Sequence, residues 1–189
     1  MVRGTWRLNP DVGMMNSRPV NDTESIGASR WHVLHVRARC EKKFVDYAAA
    51  KGLEVYLPLR VRTRVYQRRR VSTELPVFPG YVFAAYAPDQ RMLVLQSNVI
   101  ANILEVEHEC EFLRDLEQIR AALAVDETLG ACQAFTTGRR VRIVEGPFAG
   151  VEGRVESALN GARVVLNVEM IGQGVAVEVE MDYLEPAAE

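Results

Sequence analysis

The sequence predicts an α+β protein: an N-terminal antiparallel sheet flanked by helices, followed by a small all-β barrel. Strand-like and helix-like hydrophobic periods alternate over residues 31–124, whereas helical periods vanish after residue 138. A weakly periodic stretch separates the two regions. We therefore predict a flexible arm at 1–29, a first domain at 30–124, a linker at 125–137 and a second domain at 138–186.

The elements of the first domain follow from the pattern in chain order. Aromatic and β-branched residues from Trp31 to Val36 predict a strand, and helical spacing from Glu41 to Lys51 predicts a helix that Gly52 ends. Further strands are predicted at 55–57, 59–66, 77–86 and 100–106, with a turn at 67–70. A short helix at 89–96 follows, and then an amphipathic helix with Phe112, Leu116, Ile119, Ala122 and Leu123 on its apolar face.

The second domain is predicted to be all β because short alternating valine-rich runs are separated by glycine-containing turns. Asn160-Gly161 is typical of a two-residue hairpin. A core of about fifty residues is marginal, but closing the sheet into a barrel removes its exposed edges.

The composition excludes two broad classes of protein. The chain has 189 residues, 48% apolar and 25% charged, with a formal net charge of −2, which is enough apolar surface to fold. No apolar run approaches the roughly 18–20 residues that a membrane span needs. The first 30 residues lack the apolar segment of a signal peptide, so we expect a cytoplasmic protein.

The charge is unevenly distributed along the chain. Residues 30–70 contain twelve basic and three acidic side chains, a net charge of +9, while residues 141–189 carry a net charge of −6. Period-two alternation places Arg60, Arg62 and Arg64 on one face of a strand. This segment predicts a polyanionic partner, and a solvated charged face without a partner is the alternative.

No pattern in the sequence is typical of catalysis or of a metal or cofactor site. Cys40, Cys110 and Cys132 lack the paired spacing of a zinc site, and they are odd in number. His32 and His35 point to opposite sides of one strand, and the carboxylates are dispersed. We therefore expect neither an enzyme nor a bound metal or cofactor.

Two motifs carry the functional information. In Val77–Phe83, Pro79 and Gly80 precede an aromatic-rich strand and allow a bend that displays its aromatic side chains; the alternative is that these aromatics are core. In the stretch from 138 to 155, glycines supply positive-φ turns between two strands, and Phe148 projects from the tight turn. With Trp31 opening the first domain, the two motifs resemble the NGN domain and the KOW motif of NusG-type transcription factors over residues 31–186.

The resemblance implies a transcription elongation and antitermination factor that binds the clamp helices of the largest RNA polymerase subunit, suppresses pausing and modulates termination. The positions that match the polymerase contact are Trp31, His35, Phe78, Pro79, Tyr81 and Phe83. Arg37 and Lys43 match positions that face the non-template DNA strand. The residues of the basic segment expected to add phosphate contacts are Arg60, Arg62, Arg64, Arg68, Arg69 and Arg70.

For the KOW domain, the resemblance implies Rho or a small-subunit ribosomal protein as partner. Phe148 and Ile171 match the contact loops, although Phe148 capping the barrel's own core is an alternative. Some relatives refold this domain as helices, but the density of β-branched residues and glycines here predicts β structure. We expect a monomer.

The compact span between Trp31 and Phe78 resembles specialised, RfaH-like paralogues. RfaH-type relatives often carry His-Thr-Thr where this chain has residues 91–94, Arg-Met-Leu-Val, so their gate-loop contact is not expected here. Housekeeping and operon-specific roles both stay open. The alternative function is a KOW-containing RNA-binding or ribosome-associated module, with the basic strand as its main site.

Overall fold

The computed structural model describes residues 28–67, 69–134, 138–158 and 161–187. The predicted arm, apart from its last two residues, lies outside the described residues, as do Arg68 and Asn160. The described chain forms two compact units, one of residues 28–57 and 79–109 and one of residues 58–78 and 110–187. The domain boundaries given above remain a prediction.

The described residues form twelve strands and three α-helices. The strands are β1 (Arg30–Val36), β2 (Glu54–Tyr56), β3 (Leu59–Tyr66), β4 (Arg69–Pro76), β5 (Tyr81–Tyr86), β6 (Ile100–Glu105), β7 (Ala131–Gln133), β8 (Arg140–Ile143), β9 (Glu152–Ala158), β10 (Gly161–Val168), β11 (Gln173–Val179) and β12 (Leu184–Pro186). The helices are α1 (Glu41–Ala50), α2 (Arg91–Leu95) and α3 (Glu109–Val125). Short 3-10 helices occupy Pro88–Gln90, Glu169–Ile171 and Met181–Tyr183.

The first unit is built on a four-stranded antiparallel sheet in the order β2-β5-β1-β6. Helix α1 packs against β2 and β5 and buries Phe44, Val45 and Ala48, which recur at helical spacing. Gly52, in the left-handed region at φ +71°, turns the chain out of the helix towards β2. The predicted helix-flanked antiparallel sheet is confirmed.

The second unit contains a two-stranded hairpin, helix α3 and a six-stranded antiparallel sheet. The sheet has the order β12-β8-β9-β10-β11-β7. Helix α3 buries its predicted apolar face, namely Phe112, Leu116, Ile119, Ala122 and Leu123. The all-β prediction for the C-terminal region is therefore confirmed, and this region is β rather than helical.

Gly174 shows how closely the strands of this sheet approach one another. A Cβ atom at this position of β11 would lie 2.5 Å from the backbone oxygen of Leu166 in the neighbouring β10. No side chain fits there without movement of backbone, so the sequence requires glycine at this point of the sheet.

Two predictions around the hairpin were wrong. Residues 77–80 form a turn, and β5 starts only at Tyr81, four residues after the start of the strand predicted at 77–86. The predicted turn at 67–70 is shorter, because Arg69 and Arg70 already lie in β4 and pair with Tyr66 and Val65. Strand β4 was not predicted, because it is mostly exposed and its sequence therefore lacks an alternation of apolar and polar residues.

The predicted linker at 125–137 contains a strand. Residues 131–133 form β7, which pairs antiparallel with β11 and adds an edge to the six-stranded sheet. A three-residue edge strand gives too short a period to be recognised in the sequence. Strands β9 and β10 pair antiparallel, with Gly161 opposite Ala158, so Gly161 is the first residue of β10 rather than part of the predicted Asn160-Gly161 turn. Asn160 lies outside the described residues.

Candidate functional site

The polymerase-contact positions of the first sheet share one face but differ in exposure. His35 pairs with Tyr81 across β1 and β5, Val33 pairs with Phe83, and Trp31 lies further along the same face of β1. At one end His35 is exposed and Tyr81 is half-buried, whereas Trp31 is 7% exposed and Phe83 is fully buried. Among these four residues, the exposed surface lies at the His35 end of the face.

The exposed end of this face consists of His35, Pro79 and Tyr81, which we call the His35–Tyr81 surface. The rings of His35 and Tyr81 stack with centroids 5.2 Å apart. Pro79 is exposed in the turn that precedes β5. A Cβ atom at the neighbouring Gly80 would lie 3.5 Å from the His35 ring, an ordinary van der Waals contact, so Gly80 lies directly against the imidazole.

The other three predicted contact residues are core residues in this structure. Phe78 and Phe83 have no exposed surface, and the Phe83 ring lies 6.2 Å from that of Tyr56. The backbone N–H of Trp31 donates to Glu109 Oε1 at 2.9 Å. The alternative considered for the aromatic motif, that its aromatics are core, therefore describes Phe78 and Phe83. A polymerase contact by Trp31, Phe78 and Phe83 remains a prediction.

Glu41 holds the turn that carries Pro79. Its side chain is buried in the first turn of α1, and its Oε1 accepts a hydrogen bond from the Gly80 N–H at 2.7 Å. The Gly80 carbonyl in turn accepts from the Val36 N–H at 2.8 Å. Gly80 adopts φ +86°, a conformation that favours glycine. Both backbone groups of Gly80 are thus fixed, one to α1 and one to the end of β1.

Sequence reasoning missed this role of Glu41. An acidic residue in the first turn of a helix is common, because it interacts favourably with the helix dipole. What the sequence does not reveal is that the carboxylate points at a backbone N–H 39 residues away.

The predicted nucleic-acid-binding residues lie on both units. Arg37, just after β1, and Lys43, on α1, are exposed in the first unit. In the second unit the hairpin exposes Arg62, Arg64 and Arg69 on one face and Arg70 on the other, while Arg60 is half-buried beside Gly130. Arg68 lies outside the described residues.

The two predicted partner-binding residues of the C-terminal region lie in separate turns of the six-stranded sheet. Phe148 belongs to the turn between β8 and β9, and its carbonyl accepts from the Val151 N–H at 3.1 Å. Ile171 ends the 3-10 helix between β10 and β11. Both side chains are half-buried, so each combines packing with an accessible apolar surface.

A cavity of about 280 Å³ lies between α3 and the six-stranded sheet, within the second unit. It is lined by Asp115 and Gln118 of α3 and by Arg140, Glu152 and Glu169 of the sheet region, among others. The Gln118 side-chain oxygen accepts from the Glu152 N–H at 2.9 Å. Burial, reinforced by the negative charge of Glu169 and opposed by Arg140, raises the pKa of Asp115 to about 7. Nothing in the sequence pattern distinguishes this aspartate.

Within the described ranges, no group of three or more His, Cys, Asp or Glu side chains is placed to hold a metal ion. Among the helices of that part of the chain, none is both long and apolar enough to cross a membrane.

Comparison with known proteins agrees with the folded architecture. The family model described as "Transcription termination factor nusG" matches residues 29–121. A Lactococcus lactis protein named "Transcription termination/antitermination protein NusG" is 42% identical over 172 residues, which cover 82% of this chain and 91% of that protein. The chain belongs to the NusG family.

Other relatives of the NusG family match over a similar length. The Treponema pallidum protein of the same name is 25% identical over 182 residues, covering 84% of this chain and 98% of that protein. A Staphylococcus aureus NusG is 25% identical over 187 residues, 86% of this chain and 98% of its own length. The NusG-type resemblance drawn from the sequence motifs is therefore confirmed.

Proposed function

We propose that this chain is a transcription elongation and antitermination factor that binds RNA polymerase, suppresses pausing and modulates termination. Its NusG-family membership and the names of its relatives support this proposal. A polymerase partner in a bacterium also implies action in the cytoplasm. The function requires no cofactor and no catalytic step, since binding alone changes the behaviour of the polymerase.

The single observation that best supports a polymerase contact is the His35–Tyr81 surface. It presents two stacked rings and a proline on a sheet, and Glu41 fixes the turn that carries the proline. Aromatic side chains held rigidly lose little conformational entropy on binding, and they are enriched among residues that dominate binding energy. We propose that this surface contacts the clamp helices, with Trp31 and Phe83 supporting it from the core of the first unit.

The remaining partners follow from charge and exposure. Exposed Arg37 and Lys43 would contact phosphates of the non-template DNA strand. Phe148 and Ile171 would offer their accessible apolar edges to Rho or to a small-subunit ribosomal protein. The exposed arginines of the hairpin support an alternative function, that of an RNA-binding or ribosome-associated module with the hairpin as its main site.

Transcription by purified bacterial RNA polymerase over a template with a pause site and a Rho-dependent terminator tests the proposal. Adding the full chain should shorten the dwell time at the pause and change the fraction of transcripts that end at the terminator. No change in either quantity at saturating protein would contradict the proposed function. Tight binding to free RNA without any effect on the polymerase would favour the RNA-binding alternative.

A further inference from the structure

The β3–β4 hairpin is anchored at its base and exposed towards its turn. At the base, the Val61 N–H donates to the Glu127 carbonyl at 2.6 Å, and the Val77 N–H donates to the Pro58 carbonyl at 2.8 Å. From Arg62 to the turn and back to Glu74, the described residues are exposed on both faces of the ribbon. The distal half therefore offers two solvent-facing surfaces.

One of these surfaces combines arginines with an exposed aromatic ring. Cross-strand pairing places Arg62 opposite Thr73, Arg64 opposite Val71 and Tyr66 opposite Arg69. Because side chains alternate along a strand and paired residues share a face, six residues form what we call the tip face: Arg62, Arg64, Tyr66, Arg69, Val71 and Thr73. Tyr66 is 72% exposed and lies directly across from a guanidinium-bearing residue.

The opposite surface has a different character. It carries Thr63 and Ser72, whose hydroxyls are hydrogen-bonded at 2.9 Å, together with Val65 and Arg70. Glu74, the acidic residue of the hairpin, pairs with Val61 and so also lies on this side. The tip face therefore contains no carboxylate of the hairpin itself.

The positive charge of the tip face is not neutralised locally. Within the described part of the chain, Arg62, Arg64 and Arg69 have no carboxylate within 4.0 Å. Side chains on one face of a strand stand about 6.8 Å apart along it, so the two β3 arginines form a short cationic row that leads to Tyr66. Such a row fits a chain of phosphates.

The exposed ring of Tyr66 favours a single strand over a duplex. An exposed aromatic side chain among arginines is typical of surfaces that stack an unpaired base while the cations contact the backbone. In a duplex the base faces are already stacked on one another, so Tyr66 would find no free base face on which to stack. The combination of features selects a single strand.

We propose that the tip face binds single-stranded DNA, with a base stacked on Tyr66 and phosphates contacted by Arg62, Arg64 and Arg69. The choice of DNA rests on the proposed function, in which the non-template strand of the transcribing polymerase is a partner. The single-stranded character rests on the hairpin alone.

Fluorescence anisotropy of the full chain with a labelled twelve-nucleotide oligo(dT), in the absence of polymerase, tests this assignment. Tyr66→Ala should weaken binding by about 5- to 150-fold, whereas Tyr66→Phe should bind as the unchanged protein does. Val65→Ala is the matched control, because Val65 is 68% exposed on the adjacent position but on the opposite surface. It should leave the affinity unchanged.

Salt and competitor nucleic acids complete the test. Arg64→Gln should reduce the steepness of log affinity against log salt by about 0.7, the contribution of one phosphate contact on a single strand. Equal losses for Tyr66→Ala and Val65→Ala, duplex binding as tight as single-strand binding, or no binding of any oligonucleotide would overturn the assignment. Tighter binding of oligo(U) than of oligo(dT) would overturn the choice of DNA.

These outcomes are separable from those that test the proposed function. Tyr66→Ala leaves the His35–Tyr81 surface intact, so it should still bind RNA polymerase. Conversely, Tyr81→Ala should bind oligo(dT) normally. A protein that binds polymerase but no single strand would refute the tip-face assignment alone.

Discussion

Replacing Glu41 by alanine tests how the His35–Tyr81 surface is held. The change removes the carboxylate that accepts the Gly80 N–H at 2.7 Å, and it leaves that N–H without this partner. Because Glu41 is buried and its hydrogen bond is charge-assisted, the loss should be about 1.5–3 kcal/mol. A local change of this size corresponds to about ten- to hundredfold faster exchange of the Gly80 amide hydrogen.

Native-state hydrogen exchange is the appropriate assay because it reports on the Gly80 N–H itself. Glu41→Gln keeps the shape and an acceptor oxygen, so it should retain most of the protection and lose about 1 kcal/mol. Glu107→Ala, at an exposed acidic position of the same unit, should leave Gly80 exchange unchanged.

The same variant should also affect binding. If the Gly80 N–H loses its partner, the turn that carries Pro79 is no longer held to α1, and affinity for RNA polymerase should fall together with amide protection. Gly80 exchange that is unchanged in Glu41→Ala would refute the reasoning, because it would mean that the turn is held by other contacts.

Three further predictions concern stability. The pKa of Asp115 is raised to about 7 in the folded protein, so its contribution to stability is complete below about pH 4 and is lost as the pH rises through 7. In urea unfolding, Asp115→Asn should therefore be more stable than the unchanged protein by about 1–3 kcal/mol at pH 8. Near pH 4 the two proteins should be equally stable. Gly174→Ala should destabilise the six-stranded sheet by about 1–3 kcal/mol in the same assay, because its Cβ meets the Leu166 backbone, and a change below about 0.5 kcal/mol would contradict that clash. Phe44→Ala should cost about 3–5 kcal/mol, measured as a lower denaturation midpoint, since its side chain is fully buried on the inner face of α1; an unchanged midpoint would be incompatible with that packing.

Elements with a strong hydrophobic period were predictable from the sequence. Strand β3 follows the alternation at 59–66 without error, and the buried face of α3 is the one its apolar spacing indicates. In both cases the period is long enough to exclude other conformations. The NusG-family motifs add the order of the two regions.

Elements whose environment is set by tertiary packing were not predictable. Strand β4 is exposed on both sides, so its sequence has no reason to alternate. Strand β7 is only an edge of three residues. In each case the strand is defined by its pairing, β4 with the preceding β3 and β7 with the distant β11, and such pairing alone leaves no hydrophobic period in the sequence.

The same distinction applies to the candidate site. The sequence identified the aromatic motif, but it did not separate Tyr81, which reaches the surface, from Phe83, which is buried two residues later on the same face. Period two assigns residues to a face, and exposure along that face depends on what covers it. Glu41 and Tyr66 were missed because their roles depend on a distant backbone N–H and on the hairpin register.

The most direct test of the central claim is the affinity of the full chain for bacterial RNA polymerase, measured for Tyr81→Ala and for a control, Met181→Ala. Both residues are at least partly exposed, and Met181 lies in the C-terminal region, away from the first sheet in the sequence. If the His35–Tyr81 surface is the polymerase contact, Tyr81→Ala should weaken binding by about tenfold or more while Met181→Ala binds normally. Unchanged affinity of a folded Tyr81→Ala protein would contradict the account.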